Sequence, residues 1–263
     1  MLFSKTHATR IIVHADDLGM SPACNRSIAQ GLEGGWISSA SLMANGACLK
    51  EAVEISQSFP NASFGVHLNI TDFSPLTGSE SLKVLCNPAG QFKRNNGYKL
   101  LFRSRKEVAE EWSAQVERIR SMGVRVSHLD SHHHVHTNPV LFGALKAVQR
   151  ASGITRVRTT RNMPSCFRGK LCGSLPRAKK IGWHAALRFF PPRTSTTDFF
   201  GSVTDFVSVS REFGNDHWIG KIVEVMCHPG HEGDEYRSEV EILQKGLEVF
   251  GRNLRLSTYW DIT

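Results

Sequence analysis

Between residues 126 and 136 the chain reads VSHLDSHHHVH, five histidines and one aspartate at the end of an apolar, strand-like run. Imidazole is the commonest side-chain ligand for borderline cations, and carboxylate is its usual partner. The flanking valines and leucine separate this segment from a solvated histidine tract, and some of its rings are expected to orient others rather than touch a metal. Three further polar groups end apolar runs in the same way. They are His14-Ala15-Asp16-Asp17 after residues 11–13, His67 between Val66 and Leu68, and Cys227-His228-Pro229-Gly230 after residues 222–226.

Adjacent aspartates can divide labour, one coordinating a cation while the other takes a proton. Asp17, His67 and one histidine of the cluster would supply a carboxylate and two imidazoles. Three protein ligands with an open position keep a metal-bound water available, and the ion lowers its pKa. Asp16 then reads as general base and His228 as general acid to a leaving amine. Each group also has a plainer reading. The aspartates could cap the next helix, His67 could be a core histidine, and His228 could stabilise a turn. His217 and His231 read as surface residues, and His184 has no evident partner.

The elements that must position these groups alternate. Strand patterns at residues 11–13, 36–43, 64–70, 124–129, 155–160, 222–226 and 256–260 are interleaved with helical patterns from Pro22, at 47–58, 105–122, 139–152 and 238–250. In the 105–122 segment Val108, Trp112, Val116 and Ile119 recur at helical spacing, with Glu107, Glu110 and Glu111 in its early turns. Residues 72–103 read as irregular, and 162–197 as a basic, proline-punctuated excursion. Such alternation predicts an α/β fold of the β/α-barrel type, with parallel strands and outer helices in one domain spanning 1–263. The polar groups all sit at carboxyl ends of strands, where barrels build sites, so one site is the better reading than four coincidences.

Composition narrows the class further. The 263 residues carry a net charge of +8, and no acidic residue lies between Asp130 and Asp198, where twelve lysines and arginines fall. Such a block attracts anions: an anionic substrate or an anionic membrane surface, unless it serves solubility alone. Lys179, Lys180, Ile181 and Trp183, followed by Leu187, Phe189 and Phe190, mix cations with bulky apolar groups, as interfacial segments do. Six cysteines without a CxxC pair suit reduced thiols and a cytoplasmic protein, or one peripheral at a membrane. No apolar run reaches the length of a transmembrane helix or a signal peptide. No nucleic-acid motif is present.

HADDLGMSPACNRSI, SASLMANG, FGVHLNIT, HLDSHHHVHTNP and MCHPG occur in the order and spacing of the YdjC-like carbohydrate deacetylases, which the chain resembles from about residue 11 to 247. The resemblance implies a barrel-like deacetylase fold, one divalent metal ion and hydrolysis of an N-acetyl group from an amino sugar. Carried over by position, it makes Asp17, His67 and His132 the metal ligands, Asp16 the base and His228 the acid. Spacing alone does not choose His132 over His134 or His136. Asp130, His133 and His136 become candidates for orienting ligands or touching substrate. Position 14 departs from the family's usual small polar residue; His14 shares a strand face with Asp16 and could tune it or add a ligand. Mg or Zn is the expected ion, with Mn, Co or Fe also suited to such donors. The expected partner is an N-acetylated sugar or oligosaccharide, free, anionic or lipid-linked, and a homodimer is a family-level expectation. Two alternatives carry different tests. A metal-dependent phosphoesterase would release phosphate, and a non-catalytic carbohydrate- or anion-binding protein would bind without turnover.

Overall fold

The computed structural model of the chain describes residues 8–78, 80–159, 161–163, 174–245 and 254–263, with backbone alone for 174–179 and 215–216. Among these residues a seven-stranded parallel sheet runs in the order β4-β3-β2-β1-β6-β5. Its strands are β1 (Thr9–Leu18), β2 (Ser39–Leu42), β3 (Ser63–Leu68), β4 (Val126–Ser131), β5 (Phe199–Ser202) and β6 (Ile222–Cys227). The seventh, β7 (Leu254–Leu256), pairs with the first residues of β1, while β2 pairs with the last. Ile11, Ile12, Val13 and Ala15 are all buried, as in parallel strands covered on both faces.

Isolated bridges carry the sheet around. Leu129 of β4 bridges Val157, and Asn162 bridges Phe200 of β5, so residues 156–159 and 161–163 link the two edges and curl the sheet towards a barrel. Of the strand expected at 155–160, the described residues 155–159 form a bridging stretch rather than a full strand. Helices cover the outside: α1 (Pro22–Glu33), α2 (Leu49–Ser58), α3 (Tyr98–Arg103), α4 (Arg105–Ser121), α5 (Phe142–Ser152), α6 (Ser174–Phe189), α7 (Val203–Phe213) and α8 (Asp234–Gln244). Trp112 of α4, Ile28 of α1 and Phe206 of α7 are fully buried against the sheet.

Local chemistry accounts for several boundaries. Ser21 caps α1 through a bond from the Cys24 amide at 3.1 Å, with Pro22 in the first turn. The two aspartates therefore do not cap it. Gly153, at φ 71°, closes α5 in the left-handed conformation that glycine adopts without penalty. Ser202 and Asp205 form a capping box that starts α7, a helix the sequence reading did not assign.

The structure revises other expectations. Residues 72–103 include a 3-10 helix, Glu80–Leu85, and α3, and the 162–197 excursion contains α6. The last helix begins at Asp234, and its expected end at 246–250 lies outside the described residues. The strand expected at 256–260 is β7 at 254–256 followed by a 3-10 turn, Tyr259–Asp261. No helix among the described residues is long and apolar enough to cross a membrane.

Candidate metal and catalytic site

Strict alternation would aim Asp16 and Asp17 at opposite faces of β1. The register against β2 shifts between Ala15 and Leu18, and Asp17 takes φ 66°, so the strand twists and both carboxylates approach His67 Nε2, Asp17 at 3.2 Å and Asp16 at 3.9 Å. His67 is the penultimate residue of β3, and His132 follows the end of β4. His133 and His134 then adopt φ 50° and 53°, a left-handed kink that breaks the run of rings into different directions.

Asp17, His67 and His132 converge, their nearest donor atoms lying within 4.8 Å of one another. His132 Nδ1 is 2.8 Å and His67 Nε2 3.2 Å from Asp17 Oδ1. Metal–ligand bonds of about 2.0–2.2 Å place neighbouring donors roughly 3 Å apart, so this set fits a divalent ion. His67 Nδ1 faces Asp130 Oδ1 at 2.9 Å, which leaves Nε2 turned to Asp17 in the orientation a carboxylate imposes on a ligating histidine. Burial would depress the His67 pKa, but Asp130 and Asp16 outweigh it and hold the ring well above its ordinary value. Burial likewise opposes ionisation of Asp17, and hydrogen bonds from His132, His231 and His67 keep its carboxyl well below the carboxylate range.

Deeper in the barrel a second cluster centres on Arg158. Its guanidinium grips Asp16 at both oxygens, 2.9 Å from Nη1 and 2.6 Å from Nη2, and donates from Nε to Glu224 at 2.7 Å. Nη2 also lies 3.0 Å from Asp130 Oδ2. The Tyr259 hydroxyl donates to the other oxygen of Glu224 at 2.5 Å. Burial alone would raise the Asp16 pKa; Arg158 and His67 reverse this and hold it ionised. His14 sits between the clusters, 3.2 Å from Asp130 and 3.5 Å from Asp16, with its other nitrogen 2.8 Å from Ser39. Ser41 donates to Asp130 at 2.9 Å. His128 stacks on Tyr259 at 3.6 Å, and its ring occupies the space a side chain at Gly65 would fill.

On the β6 side His228 Nε2 is 3.9 Å from Asp16 Oδ2, with its side chain one-fifth exposed. Burial lowers its pKa, but Glu239 and the two aspartates raise it overall. The Glu239 carboxylate also accepts from the His228 amide at 3.1 Å. His231, expected at the surface, instead points Nε2 to Asp17 at 3.1 Å, and its pKa rises to about 10. Gly230, at φ 85°, lets this turn pack on the Ala23 carbonyl, where a side chain would clash.

His133 and His136 do not join the three donors. His133 faces Thr71 at 3.0 Å, and burial with neighbouring His132 lowers its pKa to about 4. His136 is buried against Ser131 at 2.5 Å, and burial lowers it to about 3. A cleft of about 510 Å³ opens beside His133 and His134, walled by Thr71, Arg94, Asn96 and Tyr98. His184 has a partner after all, Thr159 at 2.7 Å.

Arg158, Glu224, Tyr259, Ser41 and His231 escaped the sequence reading. Arg158 was one cation among twelve, and Tyr259 lies far from every motif. Glu224 did leave a signal: a lone carboxylate inside the apolar run IVEVMC has to be paired when buried.

With this geometry in hand, comparison with known proteins is informative. The family model described as "YdjC-like protein" matches residues 10–252. A carbohydrate deacetylase of Halalkalibacterium halodurans is 28% identical over 97% of this chain and 99% of its own. One from Geobacillus stearothermophilus is 32% identical over 84% of this chain and 79% of its own. Among solved structures, a protein of Enterococcus faecalis V583 provisionally named for cellobiose-phosphate cleavage aligns at TM-score 0.71. That pair shares 23% identity over 96% of this chain and 98% of the other, a likeness that speaks for the fold. Motifs, fold and matched length agree, and the chain belongs to the YdjC-like protein family.

Proposed function

We propose that this protein is a metal-dependent hydrolase that removes the acetyl group from an N-acetylated amino sugar. The observation carrying this reading is that the Asp17–His67–His132 donors adjoin the ionised Asp16, 3.9 Å from His67 Nε2, and that the partly exposed His228 lies 3.9 Å from the same carboxylate. The named activity of the curated relatives supports the substrate class. Asp17, His67 and His132 would hold the ion, with Asp130 orienting His67. When bound, a divalent ion supplies Lewis-acid polarisation of the acetyl carbonyl and acidifies water. Zn or Mg suits this His2Asp set, as do Mn, Co and Fe.

Asp16 is the base. Arg158 keeps its carboxylate charged and fixed, and the remaining lone pairs can take the proton of the attacking water. As water oxygen bonds to the acetyl carbon, the carbon–nitrogen bond breaks and His228 delivers a proton to the departing amine. Acetate and a free amino sugar result. Glu239 stabilises the protonated His228 that this step consumes. Arg158 already occupies the carboxylates of Asp16 and Asp130, which a second ion would need, and this weighs against a two-metal phosphoesterase.

The test is acetate release from a panel of N-acetylated sugars, before and after chelation and metal add-back. Acetate that vanishes with chelator and returns with metal is expected. Metal-loaded protein that releases phosphate from phosphoesters and no acetate from any sugar would overturn the reading.

A further inference from the structure

The acid-free span contains a surface that the chemistry above does not use. On α6, Trp183 and Leu187 face inwards: Trp183 packs edge-on to Phe142 of α5 at 5.0 Å, and Leu187 is fully buried. Helical geometry then turns Ile181, Arg188 and Phe189 to the opposite side. Ile181 is 63% exposed and Phe189 75%, and Phe190, just past the helix, is 59% exposed. Lys180, Arg188 and Arg193 lie exposed around them, and Arg150 of α5 reaches the Pro191 carbonyl at the same edge. Ile181 and Phe189 are thus held in water within a rim of cations, beside the partly exposed Phe190, which packs edge-on to Phe142 at 5.8 Å.

We infer that this face of α6 docks the protein on an anionic phospholipid bilayer. The apolar side chains suit shallow insertion at the headgroup boundary, and the cations suit the negative leaflet. Charge selects this occupant over a second copy of the chain. A twofold interface sets the same patch against itself, and a patch from a span without any carboxylate would oppose its own cations. His184 of the same helix bonds to Thr159, the neighbour of Arg158, which anchors α6 on the segment that links the sheet edges.

Flotation of the full-length protein with vesicles tests this directly. Neutral phosphatidylcholine vesicles are compared with vesicles containing roughly one-third phosphatidylglycerol, at low and high salt. Binding to the anionic vesicles alone, weakened by salt, is expected. The exposed pair Ile181→Ser/Phe189→Ser and the reversal Arg188→Glu/Arg193→Glu should each lower partitioning roughly tenfold or more. Both should keep the circular dichroism and melting temperature of the parent, since the changed side chains are exposed. Indifference to anionic lipid, or parental partitioning by both variants, overturns the inference. So does displacement by RNA that is unaffected by Ile181→Ser/Phe189→Ser, which would reassign the patch to a polyanion. None of these readouts depends on deacetylation, so this inference and the proposed reaction can fail separately.

Discussion

Asp17, His67 and His132 gather at outer strand ends around one carboxylate oxygen, whereas Arg158, Asp16, Asp130 and Glu224 form an inner group around one guanidinium, and both sets are buried, at 1–6% and 0–2% exposure. In the first group, protein atoms meet at the spacing an ion would impose, and a carboxylate is flanked by imidazoles whose protons an ion can replace. In the second, one guanidinium serves three carboxylates, and a phenol satisfies the remaining oxygen of Glu224. The outer group offers donors to an ion, and the inner group is held by its own pairing. Breaking a member of the outer group should therefore remove activity and leave a folded protein. Breaking the inner group at Arg158 should cost stability, while breaking it at Asp16, its one member with a proposed chemical role, should cost turnover.

That contrast can be sharpened by substitution. The largest effect on activity is expected from His67→Ala or Asp17→Asn, with loss of bound metal by elemental analysis and turnover falling at least a thousandfold. Retained stoichiometric metal in both proteins would break the ligand assignment. Asp16→Asn should come next, with metal still bound and kcat reduced about 100- to 10,000-fold, the range of a lost general base. Full turnover in that protein would remove Asp16 from the chemistry.

Arg158→Met tests the inner group. It strands buried carboxylates, and denaturant titration should register about 3–5 kcal/mol of lost stability. A loss below 1 kcal/mol would mean that the cluster is not the structural unit its burial implies. The sign of the acid response follows from the depressed Asp17 and Asp130 carboxyls. Their contribution is complete above the unfolded carboxylate range near about 4 and disappears as pH falls through their lower folded values.

The smallest effect concerns His228, whose raised pKa keeps it protonated beyond the ordinary imidazole range. A rate that needs this proton is complete below the ordinary imidazole value of about 6.5 and declines as pH rises through the higher folded value. Glu239→Gln should move that alkaline limb to lower pH with little change in metal content. An unmoved limb would assign the acid to another group.

Several strand ends were legible because each motif joins an apolar β-pattern to a polar group. β1, β3, β4 and β6 appear near their expected positions, and they bring His67, His132, Asp16, Asp17 and His228 within contact distance of one another through the two aspartates. The capping box at Ser202 was readable in principle but lay next to a basic stretch without strong periodicity. Helix α6 was hidden by the prolines around it, and residues 164–173 before it lie outside the described structure. His231 looked like a surface residue because nothing local reveals that the turn at Gly230 folds it back to Asp17.

The sequence by itself determined the parallel α/β class and the donor types, because periodicity and imidazole–carboxylate chemistry are local properties. It also set the acid-free charge of the 131–197 span. The choice among five crowded histidines was decided by tertiary structure, through the left-handed kink at His133 and His134 that leaves His132 on Asp17 and sends His136 into the core. The Arg158 cluster was decided the same way. Its members Asp16, Asp130, Glu224 and Tyr259 come from distant positions, and a sheet that curls back through the bridges at Val157 and Asn162 brings that guanidinium among them. Burial then makes the pairing obligatory, since charges removed from water persist only when they find partners.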